Sequence, residues 1–247
     1  MFVNRGHAPR PPQRHNGLMI WILLMLLLLA ALYGPGMWVQ RVMRRYAEPG
    51  NRYPVTGAQL ARELLDGCGL ERVRVESTER GDHYDPQAAA VRLSPEHHDR
   101  RSLAALTVAA HEVGHAVQHA SGYGPFVWRQ RLVRTVGRAQ QLGAVLLLSA
   151  PVVAGVLRVP GVALLLLLGG ILSLGSGVVV HLVTLPTELD ASFRRALPLL
   201  RRSGYLYADV DPPHARRILS AAALTYVAQS LASLLNFWTW LRVLRPG

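Results

Sequence analysis

The chain has 247 residues, half of them hydrophobic, and a formal net charge of +12. So apolar a chain of this length is not an ordinary soluble domain, and membrane spans are the usual cause. Every basic residue is an arginine, and the arginines flank apolar segments instead of forming a stripe with interleaved aromatics. That pattern sets nucleic acid aside as a partner and points to the anionic headgroups of a lipid bilayer. Cys68 is the only cysteine, which excludes an intrachain disulfide and a cysteine-built metal site.

Residues 1–17 are polar, with Arg5, Arg10 and Arg14 among prolines, and read as a disordered tail. An apolar run from Leu18 to Tyr33 follows, with Trp21 and Trp38 as interfacial anchors, so 18–39 is predicted as a first transmembrane helix. A signal peptide is the competing reading, but the stretch Leu32 to Pro35 is a poor cleavage site. Residues 40–138 then carry most of the polar material. Arg41 to Pro54 is a basic connector, and Thr56 is a candidate N-cap for a short amphipathic helix through Leu65, ended by Gly67 and Gly69. Arg72–Glu76 alternates as a strand should, Ala89–Ser94 is its candidate partner in a short β-hairpin, and Gly81–Pro86 between them reads as a polar turn.

Ser102 is placed to cap a helix over 102–120 that stops at Gly122. Inside it lies His111-Glu112-x-x-His115. Residues four apart share one face of a helix, so two imidazoles at this spacing can bind one zinc. Glu112, beside the first, can reach a metal-bound water and take its proton as the water attacks a peptide carbonyl. The neighbours from Val108 to Gln118 are uncharged, so the helix reads as buried and each ionisable group in it needs a reason. Small residues such as Ala109, Ala110 and Gly114 leave room for a metal and for close packing. The bland alternative is a buried helix whose two histidines are satisfied by hydrogen bonds. In zinc peptidases a strand just before the metal-binding helix commonly forms the edge on which substrate backbone lies, and Val91–Leu93 is the candidate here.

Residues 123–138, with Trp128, Arg129, Arg131, Arg134 and Arg138, read as an interfacial segment. Two apolar stretches within 142–183, separated only by Arg158–Gly161, predict a transmembrane hairpin with a stripe of small residues at Gly169, Ser173 and Gly177. In the segment 185–217, Pro186 is expected in the first turn of a new helix, just before Glu188. Residues 218–241 form a last apolar helix ending in Trp238 and Trp240.

A catalytic zinc needs three protein ligands and one open position. His119 shares the helical face but lies about 12 Å along the axis from His111, too far to join both histidines. A distant carboxylate is therefore expected, and Glu188 is the best placed, near the same membrane interface. Asp190 is the runner-up, as a ligand or as the partner that orients a histidine. His181, near the end of a span, is a functional candidate against a simple interfacial role. His83 and Tyr84 are candidates to stabilise the oxyanion of a tetrahedral intermediate.

Taken together, Asp82–Pro86, Val91–Ser94, Ser102–Ala105, Ala109–Ala116, Leu185–Ser192 and Ala221–Val227 resemble the bacterial membrane-bound neutral zinc metallopeptidases of the YugP type, over about residues 35–244. The resemblance implies zinc binding by His111 and His115, catalysis by Glu112, and Glu188 as third ligand in the manner of gluzincin membrane proteases. In those an aspartate often follows the glutamate four residues later. Here that position is Ser192, and Asp190 is the candidate substitute.

The expectation is a mainly α membrane protein with about four transmembrane helices and a zincin-like α+β catalytic unit. It holds one Zn2+ per chain and hydrolyses polypeptides, possible membrane proteins among them. Arginine clusters at 41–45, 129–138 and 194–202 place the active site on the cytoplasmic side of the cell (inner) membrane, while the N-terminal arginines argue the other way. The alternative is a catalytically silent zinc-binding scaffold or chaperone, against which the intact Glu112 speaks. A transporter is disfavoured, because no span carries a charge near its centre.

Overall fold

The structure, a computed structural model, describes residues 15–156 and 158–224, leaving out a few side chains of the long helices. It is mainly helical, with one three-stranded sheet. In chain order come α1 (His15–Ala47), α2 (Gly57–Gly67), β1 (Arg74–Ser77), β2 (His83–Asp85), β3 (Ala90–Leu93) and α3 (Pro95–His98). Then follow α4 (Leu103–Ala120), α5 (Gly124–Gly155), α6 (Pro160–Leu189), a π-helical segment (Asp190–Ala196), α7 (Leu197–Arg202) and α8 (residues 211–224).

α4 is the centre of the packed unit. Ser102 caps it, its hydroxyl accepting from the Ala105 N–H at 3.2 Å, and Gly122 follows its end at φ 62°. Residues 103–110 are all buried, because α4 is covered by α2 on one side and by the π-helical segment on another. α2 begins with a capping box: the Thr56 hydroxyl accepts from the Gln59 N–H at 3.2 Å, and the Gln59 side chain accepts from the Thr56 N–H at 2.8 Å. Its buried face is Leu60, Ala61, Leu64 and Leu65, each such leucine stabilising the fold by roughly 1.5–3 kcal/mol. On α4, a Cβ at Gly114 would stand 2.8 Å from the carbonyl oxygen of Ala191, so a glycine is what lets the π-helical segment approach. That approach positions everything that follows Glu188.

The sheet departs from the expected hairpin. Its order is β1-β3-β2, with β1 and β3 parallel, Arg74 opposite Ala90. The antiparallel partner of β3 is β2, formed within the stretch read as a turn, with Tyr84 opposite Val91. Val91–Leu93 is therefore the middle of the sheet and not its edge. The physical reason lies in burial: Ala90, Val91 and Leu93 are fully buried, and an inner strand collects such residues while the polar His83, Tyr84 and Asp85 take the outside. Arg92, also on β3, reaches Glu76 of β1 at 3.0 Å and Asp85 of β2 at 2.6 Å, tying both outer strands to the middle one.

α5 begins at Gly124, so the arginine-rich stretch 124–138 is continuous with the apolar helix that follows instead of a separate interfacial element. α5 and α6 pack closely along their length. The contact runs through Gly143, Gly170 and Ser173, whose hydroxyl donates to the Ala139 carbonyl. Among the described residues, Gly124–Gly155 is the one helix long and apolar enough to cross a membrane, and Gly161–Ile171 is a shorter apolar stretch. The expected fourth span, 218–241, falls mainly outside the described residues. α6 also differs from expectation in running through Pro186 to Leu189, where a new helix was predicted to start. Glu188 thus sits in the last turn of a long helix, and no helix N-terminus stabilises its charge.

A second, buried clasp holds α8. Asp211 is fully buried and accepts from the Arg52 guanidinium at 2.6 Å, the Tyr53 hydroxyl at 2.8 Å and the Tyr207 N–H at 2.8 Å. The Arg52 guanidinium lies against the Tyr53 and Tyr207 rings, 5.5 and 5.0 Å from their centroids.

Candidate metal centre

α4 carries Thr107, His111 and His115 on one face, a turn apart. The two imidazoles meet edge to face with centroids 4.7 Å apart. Glu188, fully buried, enters from the end of α6, its Oε2 3.2 Å from His111 Nε2 and 3.3 Å from His115 Nε2. The three residues can offer ligand atoms all within 4.8 Å of one another. Two atoms bound about 2.05 Å from a tetrahedral zinc stand roughly 3.3 Å apart.

The hydrogen bonds around the cluster decide which atoms are free. The Gln118 amide donates to the Thr187 carbonyl and to Asp190 Oδ2, both at 2.8 Å. Its nitrogen is thereby committed, and its Oε1 faces His115 Nδ1 at 3.0 Å. An amide oxygen only accepts, so Nδ1 of His115 carries the hydrogen and its Nε2 presents a lone pair. His111 Nδ1 has the Ser192 hydroxyl at 3.2 Å and can do the same. Two Nε2 lone pairs then face Glu188 Oε2, which is buried and has no hydrogen-bond partner, while Oε1 has only the Arg129 guanidinium at 3.2 Å, on the side away from the imidazoles' shared oxygen. Such a set is mutually repulsive unless a cation sits among its members, and the nitrogen and oxygen donors suit zinc. The donor set fits the metal.

Glu112 lies one residue from the cluster and faces a cavity of about 160 Å3 shared with His111, His115, Tyr84 and Arg129. Burial pushes its carboxyl up to about 7, with His111 opposing and Glu188 and Asp82 adding to the rise. Among the described residues nothing hydrogen-bonds to its side chain, so the carboxylate is free to exchange a proton with a bound water.

The remaining candidates fall in different places. Tyr84 reaches the cavity from β2, its hydroxyl 2.9 Å from His119 Nδ1, and burial raises its phenol so that it stays a donor. His83 also lines the cavity, but its Nδ1 donates to the Gly81 carbonyl at 2.8 Å, leaving Nε2 an acceptor in the neutral ring. Asp190 does not join the cluster. Its Oδ2 accepts from Gln118 Nε2 and from Arg195 Nε at 2.8 Å, so it acts on His115 only through Gln118. The contact to His111 comes instead from Ser192. His181 is part of α6, and its side chain is outside the described residues. His119 is tied to Tyr84 and does not reach the cluster.

Two residues here carry no strong sequence signal. Arg129, in the second turn of α5, places its guanidinium 3.2 Å from Glu188 Oε1. Asp82 borders the same cavity, with His97 Nδ1 at 2.7 Å and the Ser94 N–H at 2.8 Å; despite burial, His97 holds its carboxyl below the ordinary range. Gln118 enters the sequence reading only as the residue that breaks the longer metal-binding pattern, yet it stands three residues past His115, within reach of its ring.

A chain from Bacillus subtilis (strain 168), named "Putative membrane protease YugP", is 35% identical over 232 residues, covering 91% of this chain and 98% of that protein. No solved structure matches significantly. A family model described as "Putative neutral zinc metallopeptidase" matches residues 19–245, and the chain belongs to that family.

Proposed function

We propose that the chain is a membrane-embedded, zinc-dependent endopeptidase that binds one zinc through His111, His115 and Glu188, with Glu112 as general base. The observation that carries this reading is the convergence of two imidazole lone pairs on a buried carboxylate without a hydrogen-bond partner, beside a second carboxylate open to a cavity.

Zinc held there supplies Lewis acidity, polarising a carbonyl and bringing a water's pKa towards neutrality. The rest falls to the chain. Gln118 and Ser192 hold the imidazoles by their Nδ1 edges, fixing which nitrogen faces the centre. Glu112 takes the proton of the attacking water at its carboxylate and delivers it to the leaving amine. Tyr84 and Arg129 face the cavity where negative charge develops on the carbonyl oxygen. β2 is an outer strand of the sheet and carries Tyr84 to the site, so it can add the substrate backbone as a further strand.

Membrane embedding is supported by the exposed apolar faces of α1 (Leu23, Leu27), α5 (Val145, Leu148) and α6 (Leu165, Leu168), a contiguous kind of surface that water does not tolerate. We read four spans, with the arginine clusters and the active site cytoplasmic, and membrane proteins or membrane-adjacent polypeptides as substrates. The test is zinc content and peptide-bond cleavage of the purified protein beside Glu188→Gln. One zinc per chain and cleavage in the wild type, with weakened zinc binding in the variant, support the assignment. Equal zinc in both removes Glu188 from the ligand set.

A further inference from the structure

Glu112 and His111 face two cavities. The first is the polar one that holds Tyr84 and Arg129. The second, of about 280 Å3, shares Asp82, His111 and Glu112 with it and continues between the end of α1 and α8, lined there by Val39, Met43, Val108, Ile218 and Leu219. Two polar side chains border that apolar wall besides the shared ones: His97, whose Nδ1 is 2.7 Å from Asp82 Oδ2, and Thr107. The Thr107 hydroxyl, a turn before His111, is buried and has no hydrogen-bond partner among the described residues. A buried hydroxyl left so costs free energy unless something that enters the cavity satisfies it.

Resting on the zinc-peptidase reading, we propose that this second cavity is the subsite for a large apolar side chain next to the scissile bond, with the Thr107 hydroxyl left to pair with a peptide group of the same residue. Size and continuity select the occupant. An apolar cavity of about 150 Å3 takes up benzene, so this one holds a leucine, methionine or phenylalanine side chain. It opens on the catalytic carboxylate itself, so a group lying in it belongs to a residue bonded to the reacting carbonyl or amide. The two flanks of the site then differ, cationic and polar around Arg129 and apolar around Val39 and Ile218. The enzyme cuts beside a large apolar residue and tolerates polar ones across the bond.

The test uses full-length, zinc-loaded wild-type protein titrated with hydroxamates bearing hydrogen, methyl, isobutyl or benzyl, in two series that place the group on either side of the zinc-binding moiety. The readout is affinity, independent of turnover. In one series isobutyl and benzyl bind at least about 10-fold tighter than hydrogen, the low end of what an apolar pocket discriminates. Val39→Phe, which narrows the cavity, abolishes that preference, and Leu219→Ala shifts it towards benzyl. Zinc binding with equal affinity for every side chain in both series overturns the subsite and leaves the metal centre standing, as does a preference that both folded variants leave unmoved. Failure of every hydroxamate to bind overturns the zinc-peptidase reading, and the subsite with it.

Discussion

Gln118 Nε2 lies 2.8 Å from Asp190 Oδ2, joining the metal-binding helix to the segment that follows Glu188. Gln118 is the residue at which a continuous His-Glu-x-x-His-x-x-Gly-x-x-His pattern breaks off in this chain. The side chain that replaces the glycine orients His115 with its oxygen and anchors the distant ligand segment with its nitrogen. Loss of such an outer contact typically costs about 10- to 100-fold in metal affinity. Gln118→Leu is expected to weaken zinc binding within that range while the helical signal is retained, and competition with a graded series of chelators measures it. Asp190→Asn, which keeps the shape but loses the charge facing Arg195, is expected to fall between Gln118→Leu and wild type.

Gly114 makes a sharper steric prediction. A methyl there meets the Ala191 carbonyl, which is backbone and cannot swing away. Gly114→Ala therefore displaces the π-helical segment, costs about 1–3 kcal/mol of stability and weakens zinc binding. Ala110→Gly on the same helix lacks the second effect. Thermal melts with and without zinc separate the two.

The acid–base behaviour of Glu112 has a defined sign in the metal-free protein. Its carboxyl is raised from 4.5 to about 7 on folding. Between those values the folded state binds more protons than the unfolded one, so this group makes stability fall as pH rises through the window. The full effect is on the order of 3 kcal/mol. Glu112→Gln removes it, so the melting temperature of metal-free wild type should drop relative to the variant between pH 5 and pH 8. Parallel pH profiles for the two proteins contradict the burial of this carboxylate.

Arg129 presents a cation to the cavity from the start of α5, whose later part is the long apolar stretch. Arg129→Met is expected to lower kcat/KM by about 10- to 100-fold at unchanged zinc content, in the range seen when one group facing developing charge is removed. Arg129→Lys recovers only part, because an ammonium lacks the planar fork. Full activity in Arg129→Met assigns the residue to the surface of the bilayer alone.

Cys68, partly exposed at the end of α2, is a ready-made probe of orientation. With the arginine clusters cytoplasmic, a membrane-impermeant maleimide labels it in inverted vesicles and not in intact spheroplasts. Burial raises this thiol, so labelling is done at alkaline pH. The reverse pattern places the site outside.

Much of the site could be read without coordinates because its geometry is local. His111 and His115 owe their meeting to helical spacing, and Thr56 and Ser102 announce the starts of α2 and α4 by their side-chain chemistry. Glu188 is marked by its neighbourhood in the chain, but Pro186 starts no helix there, since α6 runs through it to Leu189. A proline signals a helix start because it lacks an N–H, yet in α6 it is carried inside and the irregularity appears just after it as a π-helical turn. The sheet misled for a related reason. Gly81, Asp82 and Pro86 are turn formers, and they hide a three-residue strand whose polar side chains suit an outer position. Arg129 was invisible because its role comes from tertiary contact from α5, and position 192 was marked by the resemblance alone, which gave the supporting role to Asp190 where Ser192 holds the contact.

The most direct test of the account pairs zinc content with cleavage of casein or a membrane protein for purified wild type and Glu112→Gln. One zinc per chain in both proteins, with cleavage by the wild type alone, is the predicted result, since Glu112 acts on the proton and His111, His115 and Glu188 hold the metal. Cleavage by the variant at the wild-type rate contradicts the assignment of the base. Zinc in both and cleavage in neither, across substrates that include membrane proteins, points to a zinc-bearing scaffold.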